Sequence, residues 1–198
     1  MRSQEDQVWY HVDVNSAYLS WTAAYRVCIL GEDLDLRDIP SVIGGSEAER
    51  HGIVLAKSGS AKRYGIRTGE TLAEARCKSP GLVIVPPDYS LYVGCSKALV
   101  ELLKKYFPYV HQYSIDEAFC QVEGTMGLWG THTAFAHQLK EEIRRELGFT
   151  VNIGVSDCKL LAKMASDFKK PDMCHTLFLD EIGNLPYHLQ AKLLTAIQ

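Results

Sequence analysis

Apolar and polar positions alternate first, then change period. In VWYHVDV (residues 8–14), Val8, Tyr10, Val12 and Val14 alternate with Trp9, His11 and Asp13, the signature of a strand with one buried face. In the following SAYLSWTAAYRVCIL, Ala17, Trp21, Ala24 and Cys28 recur at helical spacing, and Asn15 and Ser16 stand where a cap is expected. GEDLDLRD (31–38) is acidic and turn-like. IPSVIGG predicts a short strand closed by paired glycines, HGIVLAKS (51–58) another strand, and SAKRYG a short polar helix. Gly65 and Gly69 mark a turn. Thr71 and Glu74 have capping-box spacing in TLAEARCKS, which Pro80-Gly81 ends, and LVIVPP is a strand stopped by prolines.

The second half is more regular. Residues 90–107 predict a long helix whose apolar face is Leu91, Cys95, Ala98, Leu99, Leu102 and Leu103. Strands at 109–115 and 118–122 flank Asp116 and Glu117. A second long helix covers 131–147 and ends at Gly148. A strand follows at 149–155, then the basic amphipathic helix CKLLAKMASDFKK, stopped by Pro171. HTLFL reads as a last strand and the remainder as helical. Leaving out residues 30–87, the order is β (8–14), α (90–107), β, β, α (131–147), β (149–155). That is a split βαβ, or ferredoxin-like, unit, hence an α+β fold with an inserted mixed subdomain.

Composition adds limits. The 198 residues are 46% hydrophobic and 23% charged, enough apolar surface for one core or two small subdomains sharing one, which excludes disorder as the dominant state. No run approaches the roughly 18 apolar residues of a membrane span. The start, MRSQEDQ, lacks a signal-peptide core, so a cytoplasmic location is expected. The net charge of −3 argues against whole-chain capture of nucleic acid but leaves room for local basic patches. The six cysteines form no CxxC and no zinc-finger spacing, so they are expected to be reduced and mostly buried.

Three carboxylates are out of place. Asp13 interrupts an apolar strand, and Asp116 and Glu117 separate two apolar strand halves. A carboxylate taken out of water needs a cation, a donor or a bound water. Three converging at strand ends would suit Mg²⁺, a hard cation that prefers oxygen. In a straight strand Asp116 and Glu117 point to opposite faces, so both serve one site only where the chain bends. A plain β-turn with two solvated acids fits the spacing too. The basic residues form two clusters, Lys57, Lys62, Arg63 and Arg67, and Lys159, Lys163, Lys169 and Lys170. They read either as phosphate partners or as solvated faces.

HVDVNSAYLSW, YSIDEAFCQV and NIGVSDCKLLAKMASDFKKPD, in this order and approximate spacing, resemble the signature segments of Y-family, lesion-bypass DNA polymerases of the DNA polymerase IV and UmuC-like group. The resemblance runs from about residue 8 to 172. It implies a ferredoxin-like palm (1–30 and 85–180) with small inserted fingers (31–84). It also implies that Asp13, Asp116 and Glu117 are catalytic and, with the Val14 carbonyl, hold two Mg²⁺ ions. Tyr18 matches the aromatic steric gate against a 2′-hydroxyl, Lys170 the lysine that holds the triphosphate, and Lys62 an arginine of the fingers. Ser16 stands where some members carry an aromatic residue, its hydroxyl or N–H available to a phosphate. The implied partners are primer–template DNA and a dNTP, with a sliding clamp reached through a further C-terminal part, and no membrane.

The sequence departs from the family at one place. Gly59 stands where many members have a tyrosine, so one triphosphate hydrogen bond is expected to be lost, and Lys62 lacks the bidentate fork of arginine. Residues 181–198 are expected to be the start of a thumb or an altered tail, with the thumb and C-terminal DNA-binding domain missing or vestigial. The alternatives are a short noncatalytic or partner-dependent paralogue, and another palm enzyme such as a nucleotide cyclase. Oligomeric state stays open.

Overall fold

The first strand is also the central one. In a computed structural model describing residues 8–45, 52–122, 130–168 and 171–177, β1 (Val8–Val14) pairs antiparallel on one side with β6 (Glu117–Val122) and on the other with β7 (Val151–Ser156). β5 (Tyr109–Gln112) adds to β6 antiparallel, and β8 (Cys174–Thr176) adds to β7 parallel, giving the order β5-β6-β1-β7-β8. The β5-β6-β1-β7 portion is the four-stranded sheet of a split βαβ unit, as the periodicity predicts.

The two faces of β1 have different fates. Val8, Tyr10, Val12 and Val14 enter the main core with α4 (Tyr89–Lys104) and α5 (His132–Leu147). The Tyr10 ring meets Phe107 and Phe135 at centroid distances of 5.1 and 5.7 Å, and its hydroxyl bonds His132 Nδ1 at 2.8 Å. On the other face lies α6 (Lys159–Ser166). His11 Nδ1 bonds Ser166 Oγ at 2.7 Å, and the Lys159 ammonium stands 4.2 Å from the Trp9 ring centre. The second basic cluster is therefore not a solvated face where it is described: Lys159 and Lys163 turn onto the sheet. α6 comes this close because β7 carries Gly154 beneath it, where a Cβ would lie 1.9 Å from the Ala162 carbonyl oxygen.

The remaining residues build a second, three-stranded sheet of β2 (Ser41–Gly44), β3 (Val54–Lys57) and β4 (Val83–Val85), in the order β3-β2-β4. Two short helices accompany it. α2 (Gly59–Arg63) is capped by Ser58, and α3 (Leu72–Lys78) opens on the expected capping box, with Thr71 and Glu74 bonded reciprocally. The helix α1 (Ala17–Cys28) joins the two parts. Ala17 and Trp21 pack in the main core, while Leu19 and Ala23 pack with Leu36 and Ile43 of the inserted segment.

Several local expectations change. Cys28 at the end of α1 and Cys77 in α3 are exposed and Cys95 and Cys158 half-buried, so only Cys120 and Cys174 are buried; all six thiols are free. The buried face of α4 runs through Tyr92, Ser96, Leu99 and Leu103, which leaves Ala98 exposed. Ser16 does not cap α1 through its side chain. It adopts a left-handed conformation (φ 47°, ψ 52°), and the Ser20 hydroxyl donates to the Asn15 carbonyl instead. β5 ends at Gln112, because the chain must bend before Asp116. The expected helix after residue 177 lies outside the described residues, as does residue 178 onward of the last strand. Among the described residues no helix is long and apolar enough to cross a membrane.

Candidate active site

The end of β1 is fixed from both sides. The Val14 N–H donates to the Asp116 carbonyl at 3.0 Å, and the Asn15 N–H to the Thr150 carbonyl at 3.0 Å. The left-handed Ser16 then turns the chain straight into α1. A non-glycine residue there costs about 1 kcal/mol, which the flanking hydrogen bonds offset.

Before β6 the chain bends over a serine. Ser114 Oγ accepts the Glu117 N–H at 3.0 Å, and its own proton goes to Asp116 Oδ1 at 2.7 Å. At this bend Asp116 lies off the strand ladder, while Glu117 is the first residue of β6. Asp13 and Glu117 are direct cross-strand partners, so they project from the same face of the sheet.

A cleft of about 590 Å³ opens between the two sheets, within the usual range of roughly 300–1,000 Å³ for small-molecule sites. It is lined by Asp13, Val14, Ser16, Tyr18, Asp116 and Lys62, six of the eight residues expected from the sequence. Tyr18 lies flat on Tyr92, with ring centres 4.4 Å apart and planes at 7°, and Tyr89 stands edge-on to it at 6.2 Å. Burial, then Tyr89 and then the Asp116 carboxylate push the Tyr18 phenol up, so it stays neutral. Lys170 lies outside the described residues; its neighbour Pro171 lines the cleft.

Glu117 is not among the lining residues. Its Oε2 accepts from Lys163 Nζ at 2.5 Å and lies 3.6 Å from His11 Nε2. Burial alone would raise this carboxyl, but Lys163 and then His11 outweigh it and hold it below the usual range. Ser166 gives its one proton to the Lys163 carbonyl, so it accepts from His11 Nδ1–H, and His11 presents Nε2 to the acid. Among the described residues no three His, Cys, Asp or Glu side chains come together as a metal cluster. The donors nonetheless fit a hard cation: two carboxylates in the cleft, and a third on the same sheet face, held by a lysine it would have to leave.

Sequence reasoning did not single out Thr68, and it gave Lys57 and Lys163 only as members of the two basic clusters. Lys163 was seen only as one charge in a cluster; its spacing of four from Lys159 gave its face but not its partner. Lys57 and Thr68 also line the cleft, bonded to each other at 3.0 Å. The position of Lys57 at the last residue of a strand, before a helix, was the available signal.

Residues 12–167 match the impB/mucB/samB family. A second match, to the sigma-54 interaction domain, covers residues 163–198 and takes in the stretch expected to begin a thumb or form an altered tail. The DNA polymerase IV of Clostridium acetobutylicum is 52% identical over 177 residues, covering 89% of this chain and 44% of that one. That of Acetivibrio thermocellus is 40% identical over 184 residues, covering 91% and 44%. The chain thus spans less than half the length of these relatives. Among solved structures, DinB from Sulfolobus solfataricus superposes with a TM-score of 0.75 at 24% identity, covering 89% of this chain and 50% of that one. An insertion ternary complex of Dbh DNA polymerase gives 0.74, also at 24% identity, with the same coverage. The likeness to these structures is one of fold, and it covers the palm and fingers. With the family match extending over most of the chain, this protein belongs to the impB/mucB/samB family, the Y-family of DNA polymerases.

Proposed function

We propose that this chain carries the nucleotide-binding and catalytic part of a translesion DNA polymerase, joining a dNTP to a primer 3′-hydroxyl under direction of a template. The observation that carries the reading is the cleft itself. Asp13 and Asp116, at strand ends of the main sheet, share it with Lys62 of the inserted segment, and Tyr18 lies between them in sequence and on α1. In this reading residues 1–30 and 85–180 are the palm and 31–84 the fingers. Residues 181–198 are an altered tail rather than the start of a thumb, which the sigma-54 match supports.

Asp13, Asp116 and the Val14 carbonyl would hold Mg²⁺, joined by Glu117 on leaving Lys163. Two such ions, when bound, supply Lewis acidity that favours ionisation of the primer hydroxyl and neutralises the departing pyrophosphate. The chain's own groups do the rest. Lys62 and Lys170 offset the charge of the triphosphate. The N-terminus of α1, aimed by the Ser16 turn, presents unpaired N–H groups to the phosphates. Tyr18, immobilised by Tyr92, sets its ring against the sugar. The small inserted sheet leaves the site open to damaged template bases. The partners are primer–template DNA and dNTP; Dbh DNA polymerase, which shares the fold, is described in an insertion ternary complex and a post-insertion binary complex. A sliding clamp would be met through the portion of the longer relatives that this chain does not span. Duplex affinity is weak, because the chain carries a net charge of −3 and phosphate neutralisation supplies most of such affinity.

The test is single-nucleotide primer extension at low salt with Mg²⁺. Addition of the templated nucleotide is expected. Failure to add it, even when the chain is fused to the thumb and C-terminal domain of a relative, overturns the reading. Tyr18→Ala, assayed the same way with ribonucleotides and deoxyribonucleotides, should lower sugar discrimination by about 10–200-fold. Unchanged discrimination removes the gate role from Tyr18.

A further inference from the structure

Lys57 occupies an unusual place. It ends β3, with Thr68 Oγ1 taking one of its three N–H donors at 3.0 Å. Among the described residues no carboxylate lies within salt-bridge distance of it, and the acid that acts on it, Glu70, is itself paired with Lys78 at 2.5 Å. Burial, and then the charge of Lys62, make its ammonium less basic. Two lysines of the inserted segment thus repel each other on the same cleft that Asp13 and Asp116 line. A multiply charged anion lying between two such lysines relieves their repulsion. Gly59, two residues on, supplies no side chain to this part of the cleft.

Resting on the polymerase reading above, we propose that Lys57, oriented by Thr68, binds the triphosphate of the incoming nucleotide and supplies, as a charged contact, what the missing aromatic hydroxyl at position 59 does not. Lys57 and Lys62 then form a two-lysine clamp contributed wholly by the inserted segment. The nucleotide bridges that clamp to the carboxylates of the main sheet.

Binding of dATP, inorganic tripolyphosphate and deoxyadenosine to the whole chain, by calorimetry with Mg²⁺, tests this. Lys57→Met should weaken dATP and tripolyphosphate by about tenfold and leave deoxyadenosine unchanged, and Lys57→Arg should restore most of the loss. Thr68→Val should give a smaller loss of the same kind. Equal dATP affinity in Lys57→Met and the unaltered chain, with a loss in Lys62→Ala, overturns the role of Lys57 and leaves the polymerase reading standing. A loss that extends equally to deoxyadenosine, or that comes with a lowered melting temperature, shows a structural role and also overturns it. An unaltered chain that binds neither dATP nor tripolyphosphate overturns both.

Discussion

Replacing Asp116 by alanine should lower nucleotide incorporation by about a thousandfold or more while the fold stands. The two halves of that expectation have separate grounds. The main-chain carbonyl of Asp116, not its side chain, accepts the Val14 N–H and ties β1 to the bend. Among the described residues the side chain receives only the Ser114 hydroxyl, and Ser114 keeps its bonds to the backbone when the carboxylate is gone. The charge itself faces the cleft, close enough to Tyr18 to raise its phenol. Asp116→Asn is the sharper variant, since it keeps the shape and an acceptor for Ser114 but removes the charge. Primer extension and a urea melt, run on the same preparations, read both halves. Extension by either variant at the level of the unaltered chain would sink the catalytic assignment.

The second large effect lies behind the cleft. Gly154→Ala should destabilise the protein by about 3 kcal/mol, the upper end of the usual cost of overpacking. The added methyl would sit 1.9 Å from the Ala162 carbonyl oxygen and 2.4 Å from the Ser166 nitrogen. Both are backbone atoms of α6, so no rotamer change relieves the clash and the helix must move off β7. That movement carries Lys163 away from Glu117 and Ser166 away from His11, so activity falls with stability. Gly94 is the internal control. It sits in the exposed part of α4 with nothing within 4 Å of a new Cβ, and Gly94→Ala should stabilise by about 0.5–1 kcal/mol. Urea denaturation of both variants checks the pair, and a Gly154→Ala protein that melts like the parent would falsify this packing of α6 on β7.

How much of this could be read beforehand depended on the range of the interaction. The strands were legible because alternation is local: Val8 to Val14 announce both a strand and its buried face. The order of strands and helices was enough for the split βαβ arrangement once the inserted segment was set aside. Cleft residues such as Asp13 and Asp116 stood out because a carboxylate in an apolar strand is costly without a partner. Other features needed tertiary partners that no window contains. α1 is buried on two sides because Leu19 and Ala23 meet Leu36 and Ile43, and its helical spacing showed only the Ala17 and Trp21 side. Lys163 and Glu117 lie 46 residues apart, and their pairing follows from α6 crossing the sheet at Gly154. Ser16 hid its left-handed turn because serine is an ordinary helix cap, and only the short connection from β1 to α1 forces it out of that role.

The stacked pair Tyr18 and Tyr92 has a consequence for descent. One ring belongs to α1, the last element before the inserted segment, and the other to α4, the first after it. The insertion thus leaves from the far end of α1, roughly 15 Å along the helix from the stack, and re-enters beside the stack, with α1 and α4 packed together to hold both ends. Chain entropy there is insensitive to length, about 0.6 kcal/mol for each doubling of a flexible loop. Such a segment is a cassette: it can lengthen, shrink or be exchanged between relatives without disturbing the strand ladder that carries the acids. Substitutions at Lys57, Lys62 and their neighbours can therefore accumulate on one side of the cleft while Asp13 and Asp116 on the other are inherited unchanged.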